Sequence, residues 1–201
     1  MCGRYQLFTE GDIEEIKNII DALNRKYSEA DRSAMKTDEI FPTNTTPILT
    51  KGERSGMSVT LQKWGFPKWD GKGVIINAMS ETASSKPMFR TSVLERRCIV
   101  PSTGFYEWRH EGKKTIEKYI INLPDEPVLY MAGIYDTFKD DNGIPSVRFV
   151  ILTTAANGSI SHIHDRMPVI VRRDERAAWL NGEGLTEIMT RPGPELILRA
   201  A

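Results

Sequence analysis

Cysteine is nearly absent from this chain: Cys2 and Cys98 are the only two in 201 residues. Two thiols cannot build the disulfide framework of a small secreted domain, so the pair fits a reducing compartment. Histidine is equally scarce, confined to His110, His162 and His164. No C-x-x-C or H-x3-H spacing supports a zinc site built from Cys2, Cys98, His162 and His164, and no metal or other cofactor is expected. No run approaches the ~20 apolar residues that cross a bilayer. The opening segment, with Glu10, Asp12, Glu14 and Glu15, has no basic stretch leading into an apolar one. The expectation is a cytoplasmic protein with no membrane partner. An excess of one charge is also missing, since Lys plus Arg equals Asp plus Glu at 27 each. Net charge therefore neither points to a polyanionic partner nor excludes one, and only a local basic face could do so. Arg96-Arg97, the run at 109–114 and Arg172-Arg173 are the candidates, each read alone as solvated surface.

What is present is ordinary and sufficient for a core: 40% of residues are hydrophobic, and 201 residues without a repeat or linker suit a single domain over 1–201, expected to be a monomer. Residues 9–27 carry Ile13, Ile16, Ile20, Leu23 and Tyr27 at helical spacing, with Thr9 as N-cap and acids in the first turn. A polar stretch at 28–39 precedes "FPTNTTPILT" at 41–50, an ordered loop entering a strand. Segments 57–64, 97–100, 116–122, 128–136 and 147–154 are β-branched or aromatic and read as strands. A second helix is predicted at 173–182, with Asp174 as cap and Gly182 just past the end. Strands outnumber helices and do not alternate with them, so the fold class is α+β with a largely antiparallel, barrel-like β core flanked by helices.

Five stretches combine ionisable residues with Gly, Pro or aromatics: "MCGRY" at 1–5, "WGFPKW" at 64–69, "NAMSETA" at 77–83, "RRCIVPSTGFYEW" at 96–108 and "ISHIHDRMPVI" at 160–170. Cys2 follows the initiator directly. With Met1 in place it is a small, buried-prone side chain; with Met1 removed it is a 1,2-aminothiol. An α-amine titrates near 8 and a thiol near 8.5, so both are partly nucleophilic at neutral pH. Such a pair reacts with aldehydes in two steps, an imine followed by thiolate closure to a five-membered thiazolidine, and the second step is intramolecular. Glu107, between two aromatics, suits an acid/base whose burial raises its pKa. His164 precedes Asp165, and the Asn77 amide could hold an amine or a hydroxyl. Cys98 reads as a core thiol, His162 as a structural hydrogen-bonder, and one of Trp64 and Trp69 as packing.

"MCGRY", "NAxSET", "RRCIVPSTGFYEW" and "TTAANGSISHIHDRMPVI", in this order from Met1 to about Arg172, resemble the SOS response-associated peptidase family, whose members sense abasic sites in single-stranded DNA. The resemblance implies loss of Met1 and a thiazolidine crosslink between Cys2 and the ring-opened abasic sugar. It makes Cys2 the nucleophile and Asn77 the group that positions its amine and the lesion. Glu107 becomes the general acid/base of imine formation and of crosslink reversal, and His164 the residue that helps open the sugar. Arg4 and Arg166 stand at phosphate-contact positions, and Trp64, Phe66, Pro67 and Trp69 match an aromatic loop for stacking beside the lesion. Abasic single-stranded DNA is the implied partner, which would make the protein nucleoid-associated when bound. Two departures stand out. Met79 replaces the usual Arg of "NAxSET", which implies weaker, less salt-dependent DNA binding, and the "WGFPKW" loop is short. A peptidase acting on protein substrates and a non-covalent DNA-binding module are the alternatives.

Overall fold

The computed structural model describes residues 2–7, 13–53, 56–112, 114–140 and 142–201. In chain order the elements begin with β1 (Tyr5–Leu7), α1 (Glu14–Lys26), α2 (Glu29–Arg32), β2 (Asp38–Ile40), β3 (Thr45–Lys51) and β4 (Met57–Trp64). Next come β5 (Phe66–Pro67), β6 (Val74–Ile75), β7 (Asn77–Met79), α3 (Ser80–Ala83) and α4 (Arg90–Glu95). The long strands follow: β8 (Arg97–Ser102), β9 (Gly104–Glu111), β10 (Lys114–Asn122), β11 (Leu129–Lys139) and β12 (Pro145–Ala155). The chain ends with β13 (Arg166–Pro168), β14 (Ile170–Val171), α5 (Arg176–Asn181), α6 (Leu185–Thr190) and β15 (Ile197–Ala200).

Five strands close on themselves in the order β12-β4-β3-β8-β11, because β11 also pairs with β12. Only the β12–β4 pairing in this ring is parallel. Closure leaves no ring strand with an unpaired side. β12 is long enough to take β7 in parallel and β13 antiparallel beyond the ring, and β14 adds to β11. A second, open sheet runs β15-β10-β9-β1-β2. The fold is thus α+β with a closed five-stranded barrel, as the strand-rich pattern implied.

The strand predicted at 57–64 matches β4, and those at 97–100, 116–122, 128–136 and 147–154 fall within or largely on β8, β10, β11 and β12. α1 buries Ile16, Ile19 and Leu23 and packs across β3 and β4; the Thr9 cap lies outside the described residues. The second helix differs from expectation. Arg173–Glu175 form a 3-10 turn and Glu175, not Asp174, precedes α5. Glu175 is drawn there by the guanidinium of Arg191, which pairs with both its oxygens. Gly182 does end the helix, with φ at +88°.

Arg97 corrects the reading of Arg96-Arg97 as a surface pair. Its side chain is buried; Nη1 donates to Val93 O at 2.8 Å and also to Leu94 O, Nε to Trp179 O at 2.8 Å, and Nη2 to Leu180 O at 3.2 Å. These carbonyls belong to the last turns of α4 and α5, where intrahelical donors run out, although Trp179 O also accepts from Gly182 N at 3.2 Å. One guanidinium therefore caps two helix C-termini, and its charge complements both dipoles. A Cβ on Gly182 would stand 2.9 Å from Arg97 Nη2, so the helix end can approach only as glycine. Cys98 is a core thiol, facing Gly133 across the β8–β11 register.

Candidate active site around Cys2

β1 is the element that places Cys2. It pairs with β2 on one side and with β9 on the other, Tyr5 opposite Phe105, and Tyr106 N donates to Arg4 O at 2.9 Å. The residues just ahead of β1 are thereby held against β9, whose Glu107 is central in the strand and paired with Tyr119 of β10. Asn77, first residue of β7, reaches from the barrel side: its Nδ2 donates to Cys2 O at 3.0 Å. Its Oδ1 is buried without a hydrogen-bond partner among the described residues. Cys2 itself has no exposed surface, and its Sγ lies 3.6 Å from Arg4 O.

Burial sets the protonation states. It pushes the Cys2 thiol far above its ordinary value, and the negative charge of Glu107 adds to the effect. Burial also raises Glu107 from 4.5 to about 7, with Asp165 contributing in the same direction. A protonated thiol thus lies within electrostatic reach of a carboxyl that can hold or release a proton at neutral pH. Among the described residues no group of three or more His, Cys, Asp or Glu could hold a metal ion, and no helix is long and apolar enough to cross a membrane.

His164 stands in the turn before β13, partly buried, and burial lowers its pKa. Its Nδ1 lies 3.0 Å from Arg166 N and 2.8 Å from Asp165 Oδ1. One ring nitrogen cannot serve both. Neutral imidazole accepts from the Arg166 N–H and carries its proton on Nε2, while imidazolium donates to Asp165. The lowered pKa favours the first. His162, by contrast, is exposed.

The arginines named from the sequence both have carboxylate partners. Arg4 Nη1 meets Glu39 Oε1 at 3.1 Å, an oxygen that Lys118 Nζ also reaches at 2.9 Å. The Arg4 guanidinium lies 4.2 Å from the Phe41 ring centroid and 5.0 Å from that of Trp108. Arg166 forms a bidentate pair with Glu81, both contacts at 2.8 Å. Neither Glu39 nor Glu81 was singled out from the sequence. Glu81 sits inside "NAMSETA", whereas Glu39 lies in a stretch that reads only as polar.

The aromatic loop divides. Trp64 and Phe66 are fully buried and cannot serve as a stacking surface for DNA. Trp64 stacks on Phe149 at 6.3 Å, meets Tyr5 edge-on at 5.3 Å, and donates its indole N–H to Ile76 O at 3.0 Å. Positions 64 and 66 share a face of the extended chain, and between them Gly65 takes a φ of +109°. Trp69 is 97% exposed. With Pro67, Pro87, Met88 and Phe138 it lines a groove of about 490 Å³, and a second of about 500 Å³ continues past it to Met79 and Asn77.

A closed barrel with an open sheet against it, and a thiol, a carboxyl and an amide brought together just ahead of β1, define an α+β barrel domain with its candidate site at that strand. The chain belongs to the SOS response associated peptidase (SRAP) family, whose pattern it matches over residues 1–196. It is 33% identical over 187 residues to abasic site processing protein YoqW of Bacillus subtilis, spanning 90% of this chain and 80% of that protein. It is 28% identical over 190 residues to abasic site processing protein HMCES of Xenopus tropicalis, spanning 78% and 56% respectively. Among solved structures, a Bacteroides thetaiotaomicron protein superposes with a TM-score of 0.79 at 29% identity, covering 99% of this chain and 91% of that one.

Proposed function

We propose that this protein recognises abasic sites in single-stranded DNA and, once Met1 is removed, forms a covalent thiazolidine with the lesion through Cys2. The observation that carries this reading is a buried Cys2 whose thiol feels the charge of Glu107, a carboxyl itself raised to about 7, with the Asn77 amide fixed on Cys2 O. The names of the relatives, abasic site processing proteins, support the substrate class.

The freed α-amine adds to the aldehyde of the ring-opened sugar. Glu107, entering protonated, gives its proton to the carbinolamine hydroxyl, which leaves as water. The resulting carboxylate takes the proton of Cys2 Sγ, and the thiolate adds to the carbon of the iminium, whose nitrogen already carries the proton it kept from the amine. Aldehyde and aminothiol become thiazolidine and water, and the carboxyl ends ready for the reverse sequence. A carboxyl at its ordinary 4.5 would be too seldom protonated for the dehydration step. Asn77 orients the backbone of Cys2, and His164, with Nε2 protonated in its neutral form, hydrogen-bonds the sugar hydroxyls during ring opening. Arg4 supplies a phosphate contact on the rim, and the groove at Trp69 and Pro67 takes a stacked base. Single strands suit so enclosed a site because extracting the lesion then costs least.

The test is denaturing electrophoresis after mixing processed protein with abasic single-stranded DNA, with intact mass reporting Met1 loss and adduct together. A heat-stable band that vanishes in Cys2→Ser is expected. A processed sample that gives no band, or a band that survives in Cys2→Ser, sinks the proposal.

A further inference from the structure

Where β1 meets the barrel, polar atoms gather that the chemistry above does not use. Tyr5, Thr46 and Gln62 are all buried, and Tyr5 Oη, Thr46 Oγ1 and Gln62 Oε1 each lack a hydrogen-bond partner among the described residues. Thr46 of β3 stands directly opposite Gln62 of β4, so the two side chains share one face of the sheet within contact distance. Trp64, two residues beyond Gln62 on that face, meets the Tyr5 ring edge-on at 5.3 Å. The Thr46 hydroxyl comes near enough to the phenol to counter part of the rise that burial imposes on its pKa. The Gln62 amide has a set orientation. Thr60 Oγ1 donates to Ile48 O at 3.4 Å and accepts from Gln62 Nε2 at 3.1 Å, which leaves Oε1 as the free end.

We infer that one water molecule is bound inside the barrel between Tyr5 Oη, Thr46 Oγ1 and Gln62 Oε1, and that it latches β1, the strand that places Cys2, to β3 and β4. Two hydroxyls and an amide oxygen suit water. It donates to the amide oxygen, accepts from the phenol and meets the Thr46 hydroxyl, the three bonds common for an internal water. No charged side chain belongs to the cluster, which selects a neutral ligand over a metal ion or an anion. Burial without such a bridge would leave three polar atoms desolvated at once. The position gives the bridge a function. Among the described residues β1 shares ladder pairs only with β2 and β9, so the water ties it to ring strands with which it does not pair. The Tyr5 phenol lies within electrostatic reach of the Cys2 thiol, and release of the latch frees the strand that holds this thiol away from solvent.

Two readouts on the free protein test this without DNA, so the latch stands or falls separately from crosslinking. Magnetic relaxation dispersion of the water signal counts waters held inside the fold. Tyr5→Phe combined with Thr46→Val, which keeps both side-chain shapes, should lose the signal of about one long-lived water. An unchanged amplitude overturns the site. Alkylation of Cys2 by iodoacetamide, followed by peptide mass, reports how often β1 opens. Each single variant should speed it roughly tenfold, and the combined variant little more, because one bridge cannot be lost twice. Effects that multiply fully mean two independent contacts and overturn the shared water, and unchanged rates overturn the latch. Tyr5→Phe removes one atom from a ring that keeps its contact with Trp64. If it does not fold, Thr46→Val and Gln62→Met decide by the same two readouts.

Discussion

The interior of the site and its rim obey different electrostatics. Inside, Cys2 and Glu107 are almost wholly removed from solvent, and burial determines which of them holds a proton. At the rim, Arg4, Lys118 and Glu39 are each about 30% exposed, and water and salt weaken every pairing among them. The interior is therefore adapted to moving protons between fixed partners, and the rim to exchanging one partner for another. One carboxylate, Glu39, already sits on both Arg4 and Lys118; under the proposed function it holds the place a phosphate would take.

Substitutions can break this contrast or sharpen it. Glu107→Gln should act most strongly, slowing crosslinking by at least about a hundredfold, as loss of a general acid/base does. It should also change stability in a pH-dependent way. The unfolded carboxyl loses its proton near 4.5 and the folded one near 7. Between those values the unfolded state binds fewer protons, so wild-type stability falls as pH rises through that window and stays at its reduced level above it. Glu107→Gln lacks this cost. Denaturant melts should show it gaining on the order of 3 kcal/mol over wild type on moving from pH 4 to pH 8. Equal pH dependence in the two proteins would show that Glu107 is not desolvated as described.

Glu39→Gln addresses the rim. It should leave stability within about 1 kcal/mol and tighten binding of single-stranded DNA severalfold at low salt, measured by fluorescence anisotropy. Weaker binding would mean that Glu39 organises Arg4 instead of competing for it. The smallest effect is expected from Met79→Arg. Met79 is 43% exposed beside the Trp69 groove, and an arginine there should steepen the dependence of log K on log salt by roughly 0.7 while the crosslinking rate at saturation stays put. An unchanged slope would place that side chain out of reach of the DNA.

The sequence made the interior far more legible than the rim. Cys2, Asn77 and Glu107 could be named because each sits in an unusual motif, and the structure brings those motifs together. The strand that carries Glu107 was not legible. Phe105, Tyr106 and Glu107 of β9 are all buried, so the alternation that marks a half-exposed strand is missing. β1 and β2, at three residues each, are too short to show a period. Partners at long sequence separation were hidden for a different reason. Arg97 reaches carbonyls 82 and 83 positions away, and nothing local distinguishes a guanidinium that caps helices from one in water. Trp64 and Trp69 flank the same short loop, yet one is core and the other surface, a difference that residue type alone does not carry.

The three-residue β1 also governs access in time. Three of the ring pairings, β3–β4, β8–β11 and β11–β12, are ladders of six or seven residue pairs, so their amides should exchange with deuterium only when the whole domain opens. β1 is joined by three residue pairs to β2 and two to β9, a ladder short enough to part by itself. Lifting that strand would uncover Cys2 and would also withdraw Tyr5 from its edge-on contact with Trp64 of the barrel. The least protected amides of the sheet would then lie beside the most deeply shielded thiol, and the rate at which Gln6 trades its proton for deuterium would set an upper limit on how fast any reagent can find that sulfur.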